Sequence, residues 1–102
     1  MTIKPISSAE GELTLKIEGF FDCTEITEYD KFIEEKLNQH NFACLVVDLE
    51  NLEFIDSMGM GRLIILKKKM TKEDKKMKII HVSDEIKSIF KIAELSEYLL
   101  EE

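Results

Sequence analysis

The stretch that decides the fold is residues 44–66, CLVVDLENLEFIDSMGMGRLIIL. Its first part, 45–47, is an uninterrupted apolar run, which is typical of a parallel strand covered on both faces. Residues 50–55 then form a short bridge, Asp56 and Ser57 stand where a helix needs a cap, and a largely apolar helix follows. The stretch predicts a hydroxyl group at the N-terminus of a helix, on the carboxyl side of a sheet, where open α/β folds place their sites.

The segments on either side extend this pattern into alternating strands and helices. Apolar alternation and helical periodicity predict strands at 3–6, 13–17, 44–49 and 77–82 and helices at 26–37, from 58, at 86–93 and at 95–100. The order ββαβαβαα indicates one α/β domain, 1–102, in which about four helices pack on a mostly parallel, mixed sheet. Thr24 is a predicted cap of the first helix, and Ser83 or Asp84 of the third.

Composition and charge narrow the function classes. The 102 residues include 14 basic and 21 acidic side chains, a net charge of −7 that argues against direct nucleic-acid binding. No apolar stretch approaches the roughly 20 residues of a membrane span, and the first residues lack the apolar core of a signal peptide. Cys23 and Cys44 have neither CxxC spacing nor a nearby histidine pair. We therefore expect a cytoplasmic protein without membrane insertion, with reduced thiols and no metal site.

The charge is uneven in one segment. Residues 67–78 hold seven lysines and two acidic residues, a local charge of +5, so the remainder of the chain carries −12. One interpretation is a solvated helix end whose lysines are favoured by the negative pole of the helix dipole. The other is a basic contact surface for an acidic partner.

Ser57 does not fit an enzyme nucleophile or a nucleotide site. A nucleophilic serine needs an oriented base, and the two histidines, His40 and His81, are predicted at a helix end and inside a strand. Gly59 and Gly61 lack the third glycine of a dinucleotide fingerprint and the lysine of a phosphate-binding loop, so they are better explained by close approach of other backbone. The sequence predicts neither an enzyme nor a catalytic residue.

A third interpretation makes Ser57 the acceptor of a phosphate. Phosphorylation adds about −1.5 to −2 charges at one point, and the free amides of a helix N-terminus tolerate an anion. Asp56 and Asp22 would oppose it, so the domain would keep its shape while its surface changes sign, which suits a binding switch. The alternative is a constitutive scaffold or subunit in which Ser57 only caps the helix.

The sequence resembles the anti-sigma factor antagonists of bacteria, which carry the STAS domain. The resemblance covers nearly the whole chain and rests on the segments 19–22, 46–49 and 54–61, the last reading FIDSMGMG, and on the closing helices. It implies that Ser57 is phosphorylated. It further implies a phosphosite environment or partner-binding surface formed by Asp22, Asp56, Met58, Gly59, Met60 and Gly61.

The resemblance also implies partners. An anti-sigma factor that is also a serine kinase would bind the unphosphorylated chain, so that a sigma factor is freed and transcription is regulated indirectly. Phosphorylation of Ser57 would release this partner, and a PP2C-type phosphatase would reverse the modification. ATP and magnesium would belong to the kinase, so no cofactor is expected here, and the chain would be a monomer or weak dimer. The family also includes subunits of other signalling and lipid-transport complexes.

Overall fold

The computed structural model describes residues 1–8 and 10–100. The chain forms, in order, β1 (Thr2–Ser7), β2 (Glu12–Phe21), α1 (Ile26–Lys36) with a 3-10 turn (Leu37–Gln39), β3 (Cys44–Asp48), β4 (Leu52–Ile55), α2 (Ser57–Lys72), β5 (Lys76–Ile80), α3 (Asp84–Ile92) and α4 (Ser96–Leu100). The predicted α/β class and order are confirmed, with one strand more than predicted. That strand, β4, lies where a short bridge was expected.

The sheet is mixed and mostly parallel. Its strand order is β1-β2-β3-β5, and β4 also pairs with β2. Among the strands that the structure describes, β1 pairs antiparallel with β2, while β3 and β4 both run parallel to β2 and β5 runs parallel to β3. Because β4 pairs with 19–21, at the carboxyl end of β2, the start of α2 is brought to the loop that follows β2.

The four helices share one apolar core on one face of the sheet. Leu13, Leu15 and Ile17 of β2 alternate with polar residues and contribute to the same buried cluster as side chains from every helix. Residues of β2 on the opposite face carry ion pairs, such as that of Lys16 with Asp48 at 4.0 Å. The prediction that β3 is covered on both faces is confirmed, since Leu45 and Val47 lie in the core and Val46, on the other face, is also buried between Thr14 and Lys78 in the register of the sheet.

The structure corrects one predicted helix cap and confirms another. Thr24 does not cap α1: its hydroxyl donates to Asp22 Oδ1 at 2.6 Å, and the cap position, Glu25, has no side-chain capping bond. Ser83 does cap α3, since its hydroxyl oxygen accepts a hydrogen bond from Ile86 N at 3.2 Å.

Candidate functional site

Ser57 is the first residue of α2 and is exposed. Within 1–8 and 10–100, no hydrogen-bond partner is assigned to its hydroxyl. The four-residue strand β4 ends only two positions earlier and is fixed by its pairing with β2, so the hydroxyl projects from a rigid support. A free hydroxyl in the first turn of a 16-residue helix can receive a modifying group without the loss of an internal contact.

Asp56, and not Ser57, is the N-cap of α2. Its Oδ1 accepts from Gly59 N at 2.9 Å, and its Oδ2 accepts from Cys23 N at 2.9 Å. The same residue donates its backbone N–H to Phe21 O at 3.3 Å. One carboxylate therefore ties the start of α2 to the loop after β2, and the alternative role of Ser57 as the helix cap is contradicted.

Asp22 shapes the loop that Asp56 holds. Its Oδ1 accepts from both Thr24 N, at 3.0 Å, and Thr24 Oγ1, at 2.6 Å. The next residue, Cys23, donates to Asp56, so the two predicted carboxylates lie at one loop–helix junction, as the sequence suggested. Negative charge is thus already present beside the hydroxyl of Ser57.

The two glycines of the motif have different surroundings. A Cβ on Gly59 would lie 2.4 Å from Phe21 O and 2.8 Å from Ile55 Cγ1, so α2 approaches the sheet as closely as a glycine permits. A Cβ on Gly61 would meet no atom of the described residues within 4 Å, apart from its chain neighbours and the backbone of its own helix. The prediction of close backbone approach is confirmed at Gly59 and is wrong, within this chain, at Gly61, which leaves a shallow recess on the helix.

The two methionines of the motif also differ. Met60 is buried in the core and can affect the site only through packing, whereas the side chain of Met58 is 44% exposed. Further along α2, Ile65 is 57% exposed. Ser57, Met58, Gly61 and Ile65 form what we call the Ser57 surface, a largely apolar strip on the outside of the helix.

An aromatic pair at the ends of β2 and β4 is a feature that the sequence did not predict. Phe20 and Phe54 are 51% and 41% exposed, and their ring centroids lie 6.3 Å apart. Exposed aromatic rings are enriched at protein–protein contacts. The pairing depends on β4, so strand alternation in β2 alone could not reveal it.

A groove between α1 and α2 borders the Ser57 surface. Asp30 accepts two hydrogen bonds from Arg62, Nε to Oδ1 at 2.8 Å and Nη2 to Oδ2 at 3.0 Å, and this bonding raises the pKa of the guanidinium. Tyr29 also lines the groove, and burial raises the pKa of its phenol; its hydroxyl has no hydrogen-bond partner among the described residues. The Asp30–Arg62 pair fixes α1 against α2.

Neither histidine contacts Ser57. His81 Nδ1 lies 3.0 Å from Asp48 Oδ1, and His40 Nδ1 lies 3.1 Å from Ser7 Oγ. The part of the chain that the structure describes contains no cluster of three or more histidine, cysteine or acidic side chains able to hold a metal ion. In residues 1–8 and 10–100, each helix is too short or too polar to cross a lipid bilayer.

Comparison with known proteins places this geometry in a family. The anti-sigma-B factor antagonist of Staphylococcus aureus is 28% identical over 85 residues, which cover 83% of this chain and 78% of that protein. A STAS-domain-containing protein of Pseudomonas aeruginosa is 28% identical over 99 residues, 95% of each chain. The fold of the anti-sigma factor antagonist SpoIIAA, in its unphosphorylated form, matches with a TM-score of 0.77 at 14% identity. The match covers 97% of this chain and 86% of that one. The structure of Bacillus SpoIIAA in its phosphorylated form matches with a TM-score of 0.71. The sequence profile of the STAS domain matches residues 4–101, and the chain belongs to the STAS domain family.

Proposed function

We propose that the chain is an anti-sigma factor antagonist whose binding is controlled by phosphorylation of Ser57. The observation that carries the proposal is the exposed hydroxyl of Ser57, which has no hydrogen-bond partner among the described residues, next to an Asp56 that already supplies the helix cap. Adding a phosphate therefore removes no capping bond. The names of the anti-sigma-B factor antagonist and of SpoIIAA support the class of partner, and the phosphorylated form of SpoIIAA supports the kind of control.

The physical effect of a phosphate here is a change of surface rather than of fold. The positive end of α2 favours an anion, while the carboxylates of Asp56 and Asp22 oppose it, so the two electrostatic effects offset each other in the folded domain. This balance does not extend to the interface with a bound partner. The partner must place its own surface against Met58 and Ile65 and would then meet about two negative charges in an apolar contact.

The proposed partners are those that the resemblance to anti-sigma factor antagonists implies. The unphosphorylated Ser57 surface binds an anti-sigma factor that is also a serine kinase, and phosphorylation releases it, so that transcription is regulated indirectly. The kinase brings ATP and magnesium, and a PP2C-type phosphatase restores the hydroxyl. Both enzymes act in the cytoplasm, where this chain works as a monomer or weak dimer and is not itself an enzyme.

The first test is the intact mass of the protein purified from its own host, with and without treatment by a PP2C-type phosphatase. Peptide mapping then assigns the site. We expect a phosphate on Ser57 that the phosphatase removes. A protein that stays unmodified across growth and stress conditions would contradict the proposal and favour a constitutive scaffold.

The second test separates charge at Ser57 from charge elsewhere. Ser57→Ala should bind the anti-sigma factor as the parent does, because the helix cap remains. It should accept no phosphate, because the hydroxyl is absent. Ser57→Asp should weaken binding on the order of tenfold, about 1.4 kcal/mol. Ser88→Asp is the matched control, since Ser88 is also exposed and lies on α3. Equal binding by Ser57→Asp and the parent would show that charge at this position is not the control.

A further inference from the structure

A second concave site lies at the other end of α2. It has a volume of about 480 Å³ and is lined by Thr71, Cys44, Met77 and four lysines, Lys67, Lys75, Lys76 and Lys78. The helix rises about 1.5 Å per residue, so Thr71 lies about 21 Å along the axis from Ser57. We call this cavity the basic pocket. It shares no residue with the Ser57 surface.

The positive charge of the basic pocket is only partly balanced inside the chain. Glu73 lies 3.6 Å from Lys75 and is shared with Lys69 at 3.5 Å. Lys76 and Lys78 form no ion pair with any residue in 1–8 and 10–100. Like charges that converge on one concave surface repel each other and focus a positive potential into it. This focused potential would stabilise an anion from outside the chain.

Two of the lysines are also oriented by uncharged groups, in addition to the ion pair of Lys75 with Glu73. Lys67 Nζ donates to the carbonyl oxygen of Tyr98 and lies 4.8 Å from the centre of its ring. Lys75 Nζ lies 4.0 Å from the ring centre of Phe42. Cation–π contacts orient an ammonium group without neutralising it. The pocket is therefore partly preorganised.

The chemistry of the lining suits phosphate groups. All its cations are lysines, which bind phosphate as point charges. The volume also exceeds what a bare ion needs and falls within the range of small-molecule sites, and Met77 and Cys44 supply apolar surface for an organic body. We propose that the basic pocket binds a soluble organic phosphate that carries at least two negative charges.

The test is calorimetric titration of the full chain with fructose 1,6-bisphosphate and, separately, with pyrophosphate. The variant Lys76→Gln/Lys78→Gln removes two charges from the pocket. The variant Lys68→Gln/Lys72→Gln removes the same number from exposed lysines of the same segment that do not line it. We expect the pocket variant to weaken binding of the bisphosphate at least tenfold and the control variant to weaken it less than threefold. Pyrophosphate should bind more weakly than the bisphosphate, because it lacks an organic body.

Other outcomes would overturn the proposal. Equal losses in the two double variants would mean diffuse attraction by the lysine-rich segment. Tighter binding of an octaglutamate peptide than of the bisphosphate would assign the pocket to an acidic protein segment, and binding only to phosphatidylglycerol vesicles would assign it to a membrane surface. Ser57→Asp should titrate as the parent does, since Ser57 lies at the opposite end of α2. The proposal for the basic pocket and the proposal for phosphorylation of Ser57 can therefore be refuted independently of each other.

Discussion

The two ends of α2 are built by opposite means. At its start, the helix is fixed by short contacts that involve backbone: Gly59 packs against Phe21, and the carboxylate of Asp56 joins two segments of chain. At its end, the helix is bordered by solvated lysines and by Glu73, whose ion pairs are 3.5 and 3.6 Å long. The first end places a small polar group accurately, and the second presents exposed charge, so substitutions of these charged surface side chains should cost less stability than substitutions at the first end.

The largest expected effect is at Gly59. Gly59→Ala would put a methyl group 2.4 Å from Phe21 O, which is backbone and cannot move away cheaply. We expect a loss of about 3 kcal/mol in the free energy of unfolding, measured by urea denaturation.

Gly61→Ala is the matched control for Gly59→Ala. It adds the same methyl group to the same helix where no atom lies within 4 Å. It should stabilise the protein by about 0.5–1 kcal/mol through helix propensity alone. Similar effects at the two glycines would show that the start of α2 is not held by close packing against the sheet.

A smaller effect is expected at the cap. Asp56→Ala removes the bonds to Gly59 N and to Cys23 N and should cost about 2 kcal/mol, since a lost helix cap alone is worth about 1. Ser57→Ala, one residue away, should change stability by less than about 0.5 kcal/mol because its hydroxyl caps nothing. The measurement is again the urea midpoint. A cost at Ser57 as large as that at Asp56 would restore the capping role to the serine.

The sequence predicted the parts of this comparison that depend on local pattern. The apolar run 45–47 predicted β3, and the motif around Ser57 predicted the start of α2. The strand β4 was missed because Leu52–Ile55 has only four residues and is defined by pairing with β2, about 30 residues earlier. The aromatic pair of Phe20 and Phe54 was missed for the same reason.

The details of the site depend on contacts between residues far apart in the chain. Asp56 and Ser57 are both good cap residues, so the sequence alone does not choose between them. In the structure the carboxylate of Asp56 also accepts a hydrogen bond from Cys23 N, 33 positions earlier, which local sequence cannot reveal. Likewise, the lysines of 67–78 were visible as a charged segment, but their convergence on one cavity depends on how β5 lies beside α2. The sequence shows that the lysines are present, and tertiary packing determines which of them line the same cavity.

The smallest effect is expected at the far end of α2. Lys69→Ala removes an i,i+4 ion pair with Glu73, in which both side chains are more than a third exposed, and should cost about 0.3–0.5 kcal/mol at low salt. Lys68→Ala removes the same charge from a neighbouring exposed position with no ion pair in the described part of the chain, so the difference between the two variants isolates the pair. That difference should fall toward zero in 0.5 M salt, because ions screen exposed charges over a few ångströms. A cost above about 1 kcal/mol that salt does not reduce would mean that this end, too, is held by specific packing, and the contrast between the two ends of α2 would no longer stand.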